Sequence, residues 1–127
     1  MQIVTEQQIA EVLNPEIAFF AVQDVFRSME SSAWNFPVVR EALQYKDALF
    51  GFKSGFDPAS GALGLKAGGY WPNNKSKGLA NHQSSIFLFD PDTGQCKAML
   101  AGNTITALRT AASSAISIDQ LARERSA

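Results

Sequence analysis

A chain of 127 residues, 46% hydrophobic and 18% charged with a formal net charge of −1, has the composition of one folded domain and not of a disordered tail. Near-neutral charge without a basic stripe interleaved with aromatics argues against nucleic acid as a partner, and no apolar run reaches the roughly 18 residues that a membrane-spanning helix needs. One cysteine, Cys96, and one histidine, His82, allow no internal disulfide and are a poor basis for a zinc site. The amino terminus shows no positively charged region leading into an apolar one, so a reducing cytoplasm is the expected location, and Cys96 reads as a packing residue rather than a nucleophile.

In chain order, Met1 to Val4 suits a short strand. Thr5-Glu-Gln-Gln8 then reads as a capping box opening a helix through about Leu13. Asn14-Pro15 starts a second helix, asparagine being a favoured cap and proline suiting the first turn. That helix runs to about Met29, and Phe19, Val22, Phe26 and Met29 recur at helical spacing, a face expected to pack on a sheet. From Asn35 to Gly102 the pattern is strands and turns: Val38–Leu43, Ala48–Ser54, Ala62–Trp71, Ser84–Phe89 and Lys97–Ala101. Asp57-Pro-Ala-Ser-Gly61 and Asp90-Pro-Asp-Thr-Gly94 each place proline early and glycine late, a tight-turn chemistry that favours antiparallel neighbours. The longest connection, Pro72 to Gln83, carries His82 near its end; loops of that size are often functional. A last helix enters through Gly102-Asn-Thr104, with Asn103 or Thr104 as its cap.

Chemistry concentrates in Ala62-Leu-Gly-Leu-Lys66-Ala-Gly-Gly-Tyr70. Alternation along a strand puts Gly64, Lys66 and Gly68 on one face and Leu63, Leu65 and Ala67 on the other, so the ammonium stands on a nearly bare ledge with room for a small ligand. In the last helix, Arg109 is the one long group among Ala107, Thr110, Ala111, Ala112, Ser113, Ser114 and Ala115. A guanidinium fork so placed is a credible anchor for a carboxylate or phosphate. Arg40 poses the same question on the first of these strands, sharing a face with Val38 and Ala42: it is either a cation at a strand edge facing water or one awaiting an anion.

The run Gly102-Asn-Thr-Ile-Thr106-Ala-Leu-Arg109-Thr-Ala-Ala112-Ser-Ser-Ala115, after a strand ending Lys97-Ala-Met-Leu-Ala101, closely resembles the signature that enters the cofactor domain in the ornithine cyclodeaminase/mu-crystallin family. Ser85-Ile-Phe-Leu-Phe-Asp-Pro-Asp-Thr-Gly94, the segment Pro72-Asn-Asn74 to Gly78, and Asn81-His82-Gln83 resemble that family too. The likeness spans about Val38 to Leu121 and is specific because several separated motifs keep their order.

The resemblance implies an α+β fold, an antiparallel sheet of about six strands packed by helices and forming a barrel-like homodimer, over residues 1–102. Residues 103–127 would connect toward a Rossmann domain. Family members are NAD(P)-dependent oxidoreductases acting on amino acids, keto acids or cyclic imines, of ornithine cyclodeaminase, alanine dehydrogenase or ketimine reductase type. Carried over by position, Arg40, Lys66 and Arg109 match residues that hold the substrate carboxylate and flank its reacting carbon, with Lys66 the catalytic one. Asn81 and His82 match positions near the cofactor, where Arg109 also serves. The Gly68-Gly69 pair departs from the family pattern, and no glycine-rich dinucleotide turn follows the last helix in these 127 residues. The expectation is therefore the substrate-binding part of such an enzyme, binding no NAD or NADP stably and inactive alone. The alternative is a non-catalytic dimeric module that binds small keto or amino acids.

Overall fold

The structure, a computed structural model, describes residues 1–123; the last four residues of the expected connecting segment lie outside it. Strand β1 (Gln2–Val4) leads into α1 (Glu6–Val12), which opens on the anticipated capping box: the Thr5 hydroxyl accepts from the Gln8 N–H while the Gln8 side chain accepts from the Thr5 N–H. Helix α2 (Pro15–Ser31) follows at once, with the Asn14 side chain accepting from the Ile17 N–H at 2.9 Å. Strands β2 (Trp34–Asn35), β3 (Val39–Ala42), β4 (Leu49–Asp57), β5 (Ala62–Tyr70), β6 (His82–Phe89) and β7 (Cys96–Ala101) come next, a single 3₁₀ turn (Asn74–Lys77) interrupting the β5–β6 connection, and α3 (Asn103–Leu121) closes the described chain.

The sheet has seven strands in the order β1-β7-β6-β5-β4-β2, with β3 also pairing along β4. All pairs are antiparallel except β1 with β7, which is parallel, Ile3 facing Met99. The parallel edge follows from geometry: β1 reaches β7 only after the chain has run through every other strand, so no tight turn dictates its direction. The hairpin turns have the expected chemistry. The Asp57 carboxylate accepts from the Ala59 N–H and Ser60 hydroxyl, and Asp90 accepts from the N–H groups of Asp92 and Thr93. Gly61 and Gly94 take φ of 69° and 73°, which glycine adopts without a Cβ penalty.

Helix α2 differs from its sequence-based expectation. It packs mainly on α3 and meets the sheet at β4, where the Ser28 hydroxyl donates to Asp57 at 2.7 Å. Ala18 is its buried residue, whereas Phe26 and Met29 remain 45% and 42% exposed. A regular apolar stripe fixes that a helix has a neighbour, not which neighbour.

Register divides the sheet into two unlike faces. One carries Lys53, Lys66, Ser84, Ile86 and Leu100 and receives α3; alternation puts Phe50, Phe52, Leu65, Phe87 and Met99 on the other.

Candidate functional site: a cationic cleft between sheet and helix

On the α3 side of the sheet, three neighbouring rows of side chains build a cleft of about 270 Å³. The middle row runs Arg40, Gly51, Gly68, Ser84 across β3 to β6, so its centre is a floor without side chains. Lys53 and Lys66 stand opposite one another in the row on one side, and Leu49, Tyr70 and His82 form the row on the other. Thr106 and Arg109 of α3 close the cleft from above.

The glycine floor is a steric necessity of the sheet as well as a clearing. A Cβ on Gly68 would run into the Gln83 carbonyl and lie 2.7 Å from the Ser84 Cα; one on Gly51 would strike the Val39 carbonyl and lie 2.8 Å from the Arg40 Cα. Gly69 likewise leaves no room for a Cβ against the Leu49 carbonyl. The Gly68-Gly69 pair is thus held in paired strand on both sides, where close backbone approach selects glycine.

Helix α3 is pinned over this floor by its first turn. The Gly102 N–H donates to the Ser84 carbonyl at 2.9 Å, and the Asn103 side-chain oxygen accepts from the Ser84 N–H at 2.9 Å. The expected cap by Asn103 or Thr104 does not form. Gly102 occupies the cap position without a side-chain bond, and the N–H groups of Asn103 and Thr104 donate instead to the two carboxylate oxygens of Glu6, at 2.7 and 3.1 Å. A carboxylate from α1 thereby does, across 97 residues of sequence, what a local cap does elsewhere. Partial burial pushes the Glu6 carboxyl up, but the bonds from Thr104 and Asn103 outweigh it and hold its pKa below the ordinary glutamate value.

One turn into α3, the Thr106 hydroxyl lies 3.2 Å from the Lys66 ammonium, which donates to it, and 3.4 Å from the Ser84 hydroxyl. Lys66 is half-buried; burial first, then the positive charges of Arg109 and Lys53, lower its pKa from the usual lysine value. Burial, then Lys66 and Arg109, likewise lower His82, so the imidazole is neutral near pH 7. No aspartate or glutamate lines the cleft, and among the described residues none of Arg40, Lys53, Lys66 and Arg109 has a carboxylate partner. The arrangement suits a small anion, with an acidic N–H donor at its centre.

Of the residues singled out in the sequence, Arg40, Lys66, His82 and Arg109 line this one cleft. Asn81 does not. Its amide donates to the Tyr70 hydroxyl at 3.1 Å and accepts from the Lys75 N–H at 3.1 Å, while its carbonyl accepts from the Trp71 N–H, so it ties the β5–β6 connection to the cleft wall. Lys53, Tyr70, Thr106 and Glu6 were not anticipated. Thr106 was within reach, lying three residues before Arg109 and so on the same helix face. Among the described residues no cluster of potential metal ligands occurs, and no helix is long and apolar enough to cross a membrane.

A mixed sheet with its helices arranged in this way is found in NAD-bound amino- and imino-acid oxidoreductases. The crystal structure of the iminosuccinate reductase of Paracoccus denitrificans in complex with NAD+ superposes with a TM-score of 0.90 at 58% identity, covering 98% of this chain and 39% of that one. The Δ1-pyrroline-2-carboxylate reductase of Thermococcus litoralis, solved with NADH and L-proline, gives 0.93 at 26% identity, and an archaeal alanine dehydrogenase dimer with bound NAD gives 0.89 at 27%. They cover 98% and 100% of this chain and 39% of each of those. The chain belongs to the ornithine cyclodeaminase/mu-crystallin family, whose pattern matches residues 2–127. In sequence it is 59% identical over 123 residues, 96% of its length, to the Paracoccus denitrificans iminosuccinate reductase, and it spans 38% of that relative. It is also 39% identical over 66 residues, 52% of the chain and 21% of the relative, to the ketimine reductase mu-crystallin of Rattus norvegicus.

Proposed function

We propose that this chain is the substrate-binding and dimerisation part of an NAD(P)-dependent oxidoreductase that interconverts a 2-imino acid and the corresponding 2-amino acid. The observation that carries the reading is the half-buried Lys66, set among unpaired cations above a glycine floor. Arg40 and Arg109 grip the carboxylate next to the reacting carbon, the planar guanidinium fork matching a carboxylate. Lys66, oriented by Thr106, faces the nitrogen and delivers a proton to it as the C=N bond is reduced; its lowered pKa makes that proton easier to release. His82, neutral, borders the site.

Reduction of an imine needs a hydride at carbon as well as a proton at nitrogen, and a nicotinamide cofactor, when bound, would supply the hydride. The N–H groups at the start of α3 are bonded to Glu6, which leaves no cradle for a pyrophosphate at that helix terminus. What the described residues supply is the grip on substrate and the proton. Among the relatives' substrates, iminosuccinate belongs to the protein with 59% identity, and an imine of this kind is the one we assign. A second copy of the chain is the partner we assign to the face that carries Phe50 and Phe52, 41% and 42% exposed.

The test uses the native gene product. Its intact mass is expected to exceed 13.7 kDa by about 150 residues or more. With NADH, ammonium and a 2-oxo acid it should consume cofactor, and Lys66→Gln should lower kcat by about 10²- to 10⁴-fold. Residues 1–127 alone are expected to be silent. Turnover by these residues alone, or an unimpaired Lys66→Gln enzyme, would refute the reading.

A further inference from the structure

A carboxylate next to the reacting carbon accounts for Arg40 and Arg109, but Lys53 is left over. It lies directly across from Lys66 in the β4–β5 ladder, on the same face, and lines the same cleft. Like charges set directly opposite in neighbouring strands repel and destabilise the pair. Lys53 is exposed, so water screens part of that cost, but the cleft holds no acidic side chain and Lys53 has no ion-pair partner among the described residues. The charge is felt at Lys66, whose pKa it lowers together with burial and Arg109. Two lysines facing each other at the rim of a cleft that holds no acid suit a counter-charge arriving with the ligand.

We propose that Lys53 is the specificity-determining residue that binds the second, distal carboxylate of a dicarboxylic substrate and so favours imino and amino diacids over monoacids. This rests on the proposed function and deepens it. Neighbouring strands lie about 5 Å apart, comparable to the span between the two carboxylates of a four-carbon diacid. With one carboxylate gripped by guanidinium and the imine nitrogen beside Lys66, the other end of the molecule falls along the Lys53 side of the glycine floor. The opposite side, Leu49, Tyr70 and His82, offers no permanent cation. The charge count agrees: four cations without an internal anion suit a dianion better than a monoanion.

The experiment compares the native gene product with Lys53→Met, which keeps the stem and removes the charge, and Lys53→Arg, which restores it. Turnover is measured with NADH, ammonium and either oxaloacetate or pyruvate, and binding is measured separately by calorimetry with succinate and propionate, which do not react. Lys53→Met is expected to lower the ratio of kcat/KM for the diacid over the monoacid by about 10- to 100-fold, the scale of one charged hydrogen bond, mostly through KM, and Lys53→Arg should recover a large part. The preference for succinate over propionate should collapse in step. Equal losses on both acids, or no succinate preference in the unaltered protein, would overturn the role of Lys53. If no oxo acid is turned over but succinate selectivity still depends on Lys53, the proposed reaction fails while the diacid subsite stands.

Discussion

The two faces of one sheet differ in what their side chains contribute. On the α3 face, Arg40, Lys53, Lys66 and Arg109 crowd positive charge around a floor of glycine. On the other, Phe50, Phe52, Leu65, Phe87 and Met99 make a broad apolar surface that is only partly covered. Alternation along strands makes this division possible without any change of fold: odd and even residues of β4 and β5 serve different ends. The comparison teaches that one strand can leave repulsion and bare backbone on one face and exposed hydrocarbon on the other.

Substitutions on each face should separate these contributions, and the floor gives the largest effect. Gly68→Ala places a Cβ against the Gln83 carbonyl and Ser84, and should destabilise the fold by about 1–3 kcal/mol, read by denaturant unfolding. An unchanged midpoint would show that the strands can part without cost. On the apolar face, Phe52→Asp is expected to weaken self-association, read as a lower mass in sedimentation; an unchanged mass would show that copies do not meet on this face. Glu6→Gln removes the charged cap of α3, and a loss of about 1 kcal/mol is expected from the usual worth of a cap. Because the folded pKa of Glu6 is lowered, its contribution is fully present above the ordinary value of 4.5 and is lost as pH falls through the folded value, so the variant's stability should fall less in acid. Smallest of all, Lys53→Met should raise stability by a few tenths to about 1 kcal/mol by relieving the cross-strand repulsion, the reverse of what a structural residue does.

Much of this was legible in the sequence. The Asp-Pro and late-Gly turns announced the β4–β5 and β6–β7 hairpins, and the capping box and Asn14-Pro15 placed both early helices. Lys66 could be found because glycines flank it on its own face, and Arg109 because it stands among small residues. The rest depends on contacts that no local pattern encodes. β1 joins β7 in parallel across the whole chain; β2 is two residues long; α2 chose α3 as its neighbour rather than the sheet. Glu6 reads locally as an ordinary first-turn acid of α1, and only folding brings the start of α3 against it. Lys53, between Phe52 and Ser54, reads as a solvated strand lysine until the β4–β5 register sets it opposite Lys66. Asn81, given a cofactor position by family likeness, is engaged at both ends of its amide within the β5–β6 connection.

The most direct test is a crystal structure of the native gene product with L-aspartate bound. The expected result is the α-carboxylate within about 3 Å of the Arg40 or Arg109 guanidinium, the amine beside the Lys66 Nζ and the side-chain carboxylate on Lys53. Aspartate bound elsewhere, with the glycine floor empty, would contradict it.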